Sequence, residues 1–347
     1  ASKANIRMEF KIVPFVSLQS WVIKMTGVMM CVLSLQFYFA GTMDLATTIV
    51  MMIASFLMYA ALDSAGNFSS LLRAVDISVD KAKSVLAIEN MDIDGEYIET
   101  ETQNIEMDHV DFAYDTRKVI DDISLSIPEK TTAAFVGPSG SGKTTICHLI
   151  ARFWDVQSGQ VKLDNRDVRA YNMNSLMENF SFVFQSVYLF HDTIANNIRF
   201  GQPEASMDMV IDAAKRACCH DFISKLPDGY DTVLGEAGAS LSGGQKQRIS
   251  IARAIMKDAP IIILDEATAN VDPENERELM LAIKELTKEK TILMIAHRLK
   301  TVRNADRIYV IDKGKIAQQG THEELMKNEG IYRDFVSARS EAIGWKL

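Results

Sequence analysis

The 347-residue chain has little cysteine, no excess of basic charge and no secretory leader. Its four cysteines, Cys31, Cys147, Cys218 and Cys219, show neither zinc-site spacing nor a disulfide framework. The adjacent pair reads as buried thiols on a helix, and everything after residue 85 reads as belonging in a reducing cytosol. Lysine and arginine total 37 against 46 acidic residues, a net charge of −9, so no global basic field invites nucleic acid. The chain opens on Ala1, without an initiator methionine or signal peptide and inside a helical pattern, which reads as a piece of a longer or processed chain. Its length allows about two domains.

What is present divides at about residue 88. Residues 21–40 and 45–62 are two mostly apolar runs, each near the ~20 residues that span a bilayer, with Gly41, Thr42, Met43 and Asp44 breaking them apart. Lys3, Arg7, Lys11 and Lys24 precede the pair, Arg73, Lys81 and Lys83 follow it, and the turn between carries no cation. By the positive-inside rule this is a transmembrane hairpin with both ends cytoplasmic, Lys24 snorkelling to the inner interface. The alternative is two buried helices of a soluble all-α domain. Residues 67–88 keep a helical period and extend the second helix into the cytosol. Residues 89–103 are acidic and turn-rich and read as a linker, so the expected organisation is a membrane region over 1–88 and a second domain over 104–347.

In that second domain Gly137, Pro138, Ser139, Gly140, Ser141, Gly142, Lys143 and Thr144 fit G-x-x-x-x-G-K-[ST], between a short buried strand and a helix beginning at Thr145. Glycines let backbone N–H groups turn inward on a polyphosphate, and the helix N-terminus adds its dipole. Lys143 reaches the β- and γ-phosphates and the Thr144 hydroxyl ligates Mg²⁺. Residues 261–264 are a continuous apolar run ending in Asp265 and Glu266, as a strand buried on both faces of a parallel sheet would. Asp265 can hold Mg²⁺, and Glu266 can orient or deprotonate the water that attacks the γ-phosphate.

Four further readings are less determined by the residues alone. Tyr114, ending an alternating strand from Ile105, can stack on a purine or simply cover a sheet edge. Gln185, after the apolar residues 182–184, can bring its carbonyl to Mg²⁺ or water, or be a solvated amide. His297, after the apolar residues 291–296, can bond a γ-phosphate or be structural. Ser242, Gly243, Gly244 and Gln245 open a helix and form a second anion-binding device. One triphosphate can hardly be wrapped by two such loops on different subdomains, so this second loop is expected to cap a nucleotide bound by another copy. Residues 207–226 turn helical, a helical insertion within an α/β domain.

In this order the motifs resemble the nucleotide-binding domain of ATP-binding cassette (ABC) transporters, over residues 105–340, and the upstream pair resembles the last two spans of an exporter-type half-transporter. The resemblance implies an α/β P-loop domain with a helical subdomain behind an all-α transmembrane hairpin. It further implies an ATPase that pairs with a second half-transporter, as homo- or heterodimer, to sandwich two Mg-ATP and drive export. Tyr114 resembles the adenine-stacking aromatic, and Gln185 the glutamine linking the Mg²⁺ site to the membrane domain. Ser242 and Gly244 would contact the γ-phosphate across the dimer, His297 is similar to the switch histidine, and Asp272 to the aspartate crossing the interface. Thr232 to Glu236 resembles the segment that touches cytosolic extensions of membrane helices. The chain departs from common exporters at Ala269, Asn270 and Val271, at Val233, and in lacking four of six spans. An inner-membrane location, cassette in the cytoplasm, follows from the same resemblance; the cargo does not.

Overall fold

The computed structural model describes residues 2–88, 95–235, 238, 241–265, 273–295 and 302–344. Its contacts group into two units, residues 1–90 and residues 91–347.

The first unit is a helical hairpin. Helix α1 spans Ser2–Phe39 and α2 spans Leu45–Leu86. Gly41, at φ +74°, turns the chain between them, and Asp44 caps α2 by accepting from the Thr47 backbone N–H at 3.2 Å. Burial is inverted relative to a water-soluble pair. The small polar residues Ser34, Thr48 and Ser55 are buried, while Trp21, Met29, Phe37, Val50 and Phe56 are exposed. Each buried hydroxyl donates to a carbonyl of its own helix or its cap, at 2.8 to 2.9 Å, and Ser55 Oγ lies 3.3 Å from Cys31 Sγ on the other helix. Small, self-satisfied residues between helices and large apolar ones outside is the arrangement lipid favours. Ser17–Phe39, 23 residues, is long and apolar enough to cross a membrane. The expected second run lies within α2, and its apolar stretch among the described residues, Leu45–Met58, is shorter than that.

The second unit is built on a six-stranded sheet of order β10-β9-β3-β8-β7-β6 and a four-stranded sheet of order β2-β1-β4-β5. In chain order its elements begin with β1 (Ile105–Tyr114), β2 (Arg117–Ile127), β3 (Thr132–Val136), α3 (Lys143–Ile150), β4 (Ser158–Leu163) and β5 (Arg166–Asp167). Helix α4 (Met173–Glu178) and β6 (Phe180–Val183) follow, then α5 (Ile194–Arg199), α6 (Met207–Arg216), α7 (His220–Ile223) and α8 (Gly243–Lys257). The chain returns to the sheet with β7 (Ile261–Asp265), α9 (Pro273–Leu286), β8 (Thr291–Ile295), β9 (Arg307–Asp312) and β10 (Lys315–Gly320), before helices His322–Lys327 and Ile331–Gly344.

The core strands β9, β3, β8, β7 and β6 run parallel, and only β10 is antiparallel to its neighbour. Alternation along each strand divides the core in two. Ala134, Val136, Ile262, Leu264, Ile292, Met294, Ile308 and Val310 pack with helices α5, α6, α8 and α9. Ala133, Phe135, Ile261, Ile263, Leu293, Ile295, Tyr309 and Ile311 pack with β1, β2, β4 and α3. Both faces are covered, which is why these strands read as unbroken apolar runs. Each of the Val, Leu, Ile, Phe and Met side chains among them stabilises the fold by about 1.5–3 kcal/mol on full burial.

The described part of the expected linker, residues 95–103, is docked on this unit. Glu96 bridges to Tyr171, Ile98 is buried, and Tyr97 Oη donates to Glu178 at 2.7 Å. Thr100 and Thr102 hydroxyls donate to Asn179 and Asp164 at 2.6 Å each. The acidic composition of this stretch therefore coexists with a row of hydroxyl donors that anchor it.

Candidate functional site

The parallel register brings the sequence-predicted residues to one edge of the sheet. Phe135 of β3 pairs with Ile295 of β8, which pairs with Asp265 of β7. Leu264, one residue before, pairs with Val183 at the end of β6. Neighbouring strands lie about 4.8 Å apart, so Asp265 ends two strands, about 10 Å, from the strand that feeds Gly137. Gln185 leaves β6 beside it. The sheet's carboxyl edge is where open α/β sheets bind ligands. Burial raises the pKa of Cys147 in α3, and the Asp265 carboxylate adds to the rise.

The loop from Gly137 to Thr144 is held by its own backbone. Gly137 sits at φ +144°, and a Cβ there would lie 2.0 Å from the Ile311 carbonyl oxygen, so only glycine lets the loop pass β9. Gly142 caps α3 at φ +109°. The Ser141 carbonyl accepts from Gly314 N–H at 3.1 Å, and the Gly314 carbonyl in turn accepts from Asp121 N–H at 2.9 Å. Gly314 belongs to the hairpin turn at Lys313, both residues at positive φ as a primed turn needs. The turn thereby braces the phosphate loop from a distant part of the chain.

Lys143 is buried, and its Nζ donates to the carbonyls of Gly137 at 3.1 Å and Pro138 at 2.7 Å. Those carbonyls hold the ammonium within the cradle, where a polyphosphate would compete for it. Pro138, Ser139, Gly140 and Thr144 are exposed and Ser141 and Thr145 buried. The exposed Thr144 hydroxyl, the half-buried Asp265 carboxylate and exposed Gln185 are oxygen donors of the kind Mg²⁺ takes. No cluster of three or more His, Cys, Asp or Glu metal ligands occurs among the described residues.

Ser242 is the N-cap of α8, which begins at Gly243. Ser242 and Gly243 are exposed, Gly244 is buried and Gln245 half-buried. From the same helix Gln247 Nε2 donates to the Phe184 carbonyl at 3.3 Å, tying α8 to the segment that carries Gln185. The sequence reading missed Gln247; its only signal was a glutamine two positions beyond Gln245. Tyr114 ends β1 at 37% exposure, among Phe112 and Trp154. Thr193 bridges to Val233, Leu234 is buried and Val233 is exposed, so Thr232 to Gly235 hold the head of α5. Glu266, Asp272, His297 and Glu236 lie outside the described residues, as do Ala269, Asn270 and Val271.

Residues 120–269 match the ABC transporter family. The ATP-dependent lipid A-core flippase of Desulfotalea psychrophila is 50% identical over 231 residues, 67% of this chain and 40% of that protein. The flippase of the same name from Escherichia coli K12 is 47% identical over 238 residues, 68% of this chain and 41% of that protein. The chain thus spans about 40% of the length of the curated relatives it matches. Among solved structures, a bacterial Atm1-family ABC exporter with ATP bound superposes with a TM-score of 0.72 at 30% identity, over 97% of this chain and 60% of that one. With the phosphate loop and the strand-end carboxylate on this sheet, and a capped glycine pair heading α8, the chain belongs to the ATP-binding cassette transporter family, of exporter type.

Proposed function

We propose that this chain is the ATP-hydrolysing part of an exporter half-transporter of the inner membrane, its cassette in the cytoplasm, that works paired with a second half-transporter. The carrying observation is that Phe135, Ile295 and Asp265 lie in register, so the phosphate loop and a strand-end carboxylate share one sheet edge, in a chain that also has a membrane-length helix. The residues from Gly137 to Thr145 hold the phosphates of ATP, Lys143 exchanging its loop carbonyls for phosphate oxygens. Thr144, Asp265 and Gln185 would hold Mg²⁺, which when bound offsets negative charge on the phosphates. Tyr114 stacks on adenine. Glu266 accepts a proton from the attacking water, and His297 holds that water in register. Ser242, Gly243, Gly244 and Gln245 face the nucleotide of the opposite cassette, and Asp272 crosses between the two. Dimer closure then turns the membrane helices outward, and hydrolysis resets them.

The cargo is proposed from the relatives' printed names: an amphipathic glycolipid of the lipid A-core class, carried across the bilayer. Turnover of Mg-ATP in detergent by the chain joined to the four upstream spans its resemblance implies, with lipid A-core glycolipid or with phosphatidylcholine added, tests both parts. Hydrolysis stimulated by the glycolipid alone is expected. Absence of hydrolysis would reject the ATPase, and equal responses to both lipids would reject the cargo.

A further inference from the structure

Trp154 lies in the connection from α3 to β4, and its ring meets that of Tyr114 at 5.5 Å and 87°. Phe112 completes the group, 4.8 Å and 89° from Tyr114 and 6.3 Å and 49° from Trp154. Both neighbours of Tyr114 are perpendicular to it, so neither is stacked parallel on the phenol ring. The connection is itself fixed at both ends. Gln157 donates through Nε2 to the Ala113 carbonyl at 3.1 Å and through its backbone N–H to the Asp111 carbonyl at 3.2 Å, both on β1. Arg152, buried at φ +54°, donates Nε to Asp155 at 2.8 Å and Nη1 to the Tyr171 carbonyl at 3.2 Å. The segment that begins at the end of the phosphate-loop helix is therefore stitched to the strand that ends in Tyr114.

We propose that Trp154 is a positioning residue for base recognition: it holds the partly exposed Tyr114 ring at a set place relative to the phosphate loop. This rests on the reading of Tyr114 as the base-stacking aromatic. An exposed tyrosine at a strand end is free in two side-chain torsions, and a ligand that stacks on it must order the ring as it binds. An edge-to-face partner on a rigid loop orders it beforehand, which favours the nucleotide without touching its phosphates. If the three rings only covered a strand edge, losing Trp154 would loosen the domain without distinguishing base from phosphate.

The test is calorimetric titration of the full chain in detergent with Mg-ADP and with Mg-pyrophosphate, which lacks the base. Trp154→Ala is expected to weaken ADP binding about twofold to tenfold, the range for an aromatic pair, with pyrophosphate binding unchanged. Unchanged pyrophosphate binding also reports that the variant is folded. Trp154→Phe should recover most of the loss. In a Tyr114→Ala background, Trp154→Ala should cost nothing more, because its effect passes through that ring. Equal losses for ADP and pyrophosphate, no loss for either, or additive losses in the double variant would each overturn the proposal. If Tyr114→Ala alone leaves ADP binding intact, the stacking role falls and the proposal with it. If the unaltered chain binds neither ligand, the nucleotide reading itself fails.

Discussion

Ser242 and Gln245 satisfy one another across the first turn of α8: the Gln245 N–H donates to Ser242 Oγ at 3.3 Å, and the Ser242 N–H donates to Gln245 Oε1 at 2.9 Å. This capping box settles two of the helix's unpaired donors internally. The N–H groups of Gly243 and Gly244, at the first two helical positions, stay outside the intrahelical ladder. The serine oxygen is used as an acceptor, which leaves its hydrogen to donate outward. One side chain therefore serves both the helix and any anion brought to it.

Those two roles separate in variants. Ser242→Asp keeps a good cap, so thermal stability should be unchanged, but it sets a carboxylate toward an incoming phosphate and should abolish ATP turnover. Ser242→Ala should cost about 1 kcal/mol of stability through the lost cap. Ser242→Arg should block hydrolysis and spare nucleotide binding to the isolated chain. Turnover by Ser242→Asp at the unaltered rate would remove this helix from the reaction.

Glu266→Gln should bind Mg-ATP and hydrolyse it at least ~100-fold more slowly, the scale of a lost general base. Single-turnover phosphate release measures it, and a near-normal rate would assign the proton to another group.

Gly137 and Gly140 should respond differently to the same added methyl. In Gly137→Ala the Cβ would sit 2.0 Å from a backbone oxygen of β9, a contact no rotamer relieves, and the loss should exceed about 4 kcal/mol. At Gly140 nothing lies within 4 Å, so Gly140→Ala should cost only the left-handed strain at φ +75°, about 1–2 kcal/mol. Denaturant midpoints of the two variants compare them directly.

Burial pushes the Cys147 thiol far above its ordinary range, and pushes Cys219 up to about 12. The thiolate is the reactive form, and raising pH to 9 leaves both groups protonated. In the folded chain at pH 8 to 9, Cys147 and Cys219 should therefore resist a disulfide reagent, and both should react once the chain is unfolded. Fast labelling of Cys147 in the native chain would contradict the packing of α3 against the sheet.

Local chemistry was readable from the amino acids wherever it depends on adjacent residues. The phosphate loop needs its glycines at fixed offsets, and the buried strands need unbroken apolar runs. The inverted hairpin of α1 and α2 was legible as apolar length, but which of its small polar residues face inward was not. Pairings between distant segments carry no mark in the chain. The Phe135–Ile295–Asp265 register, the Gly314 brace on Ser141, the Gln247 bond to Phe184 and the Trp154 contact with Tyr114 each join segments with no local signature. Their partners are chosen by which strands lie side by side, and that is decided by burying both faces of one sheet at once. Sequence determined what each segment can bind or bury; only the tertiary structure decided which of them meet, because hydrogen bonds and ring contacts depend on distance through space and not along the chain.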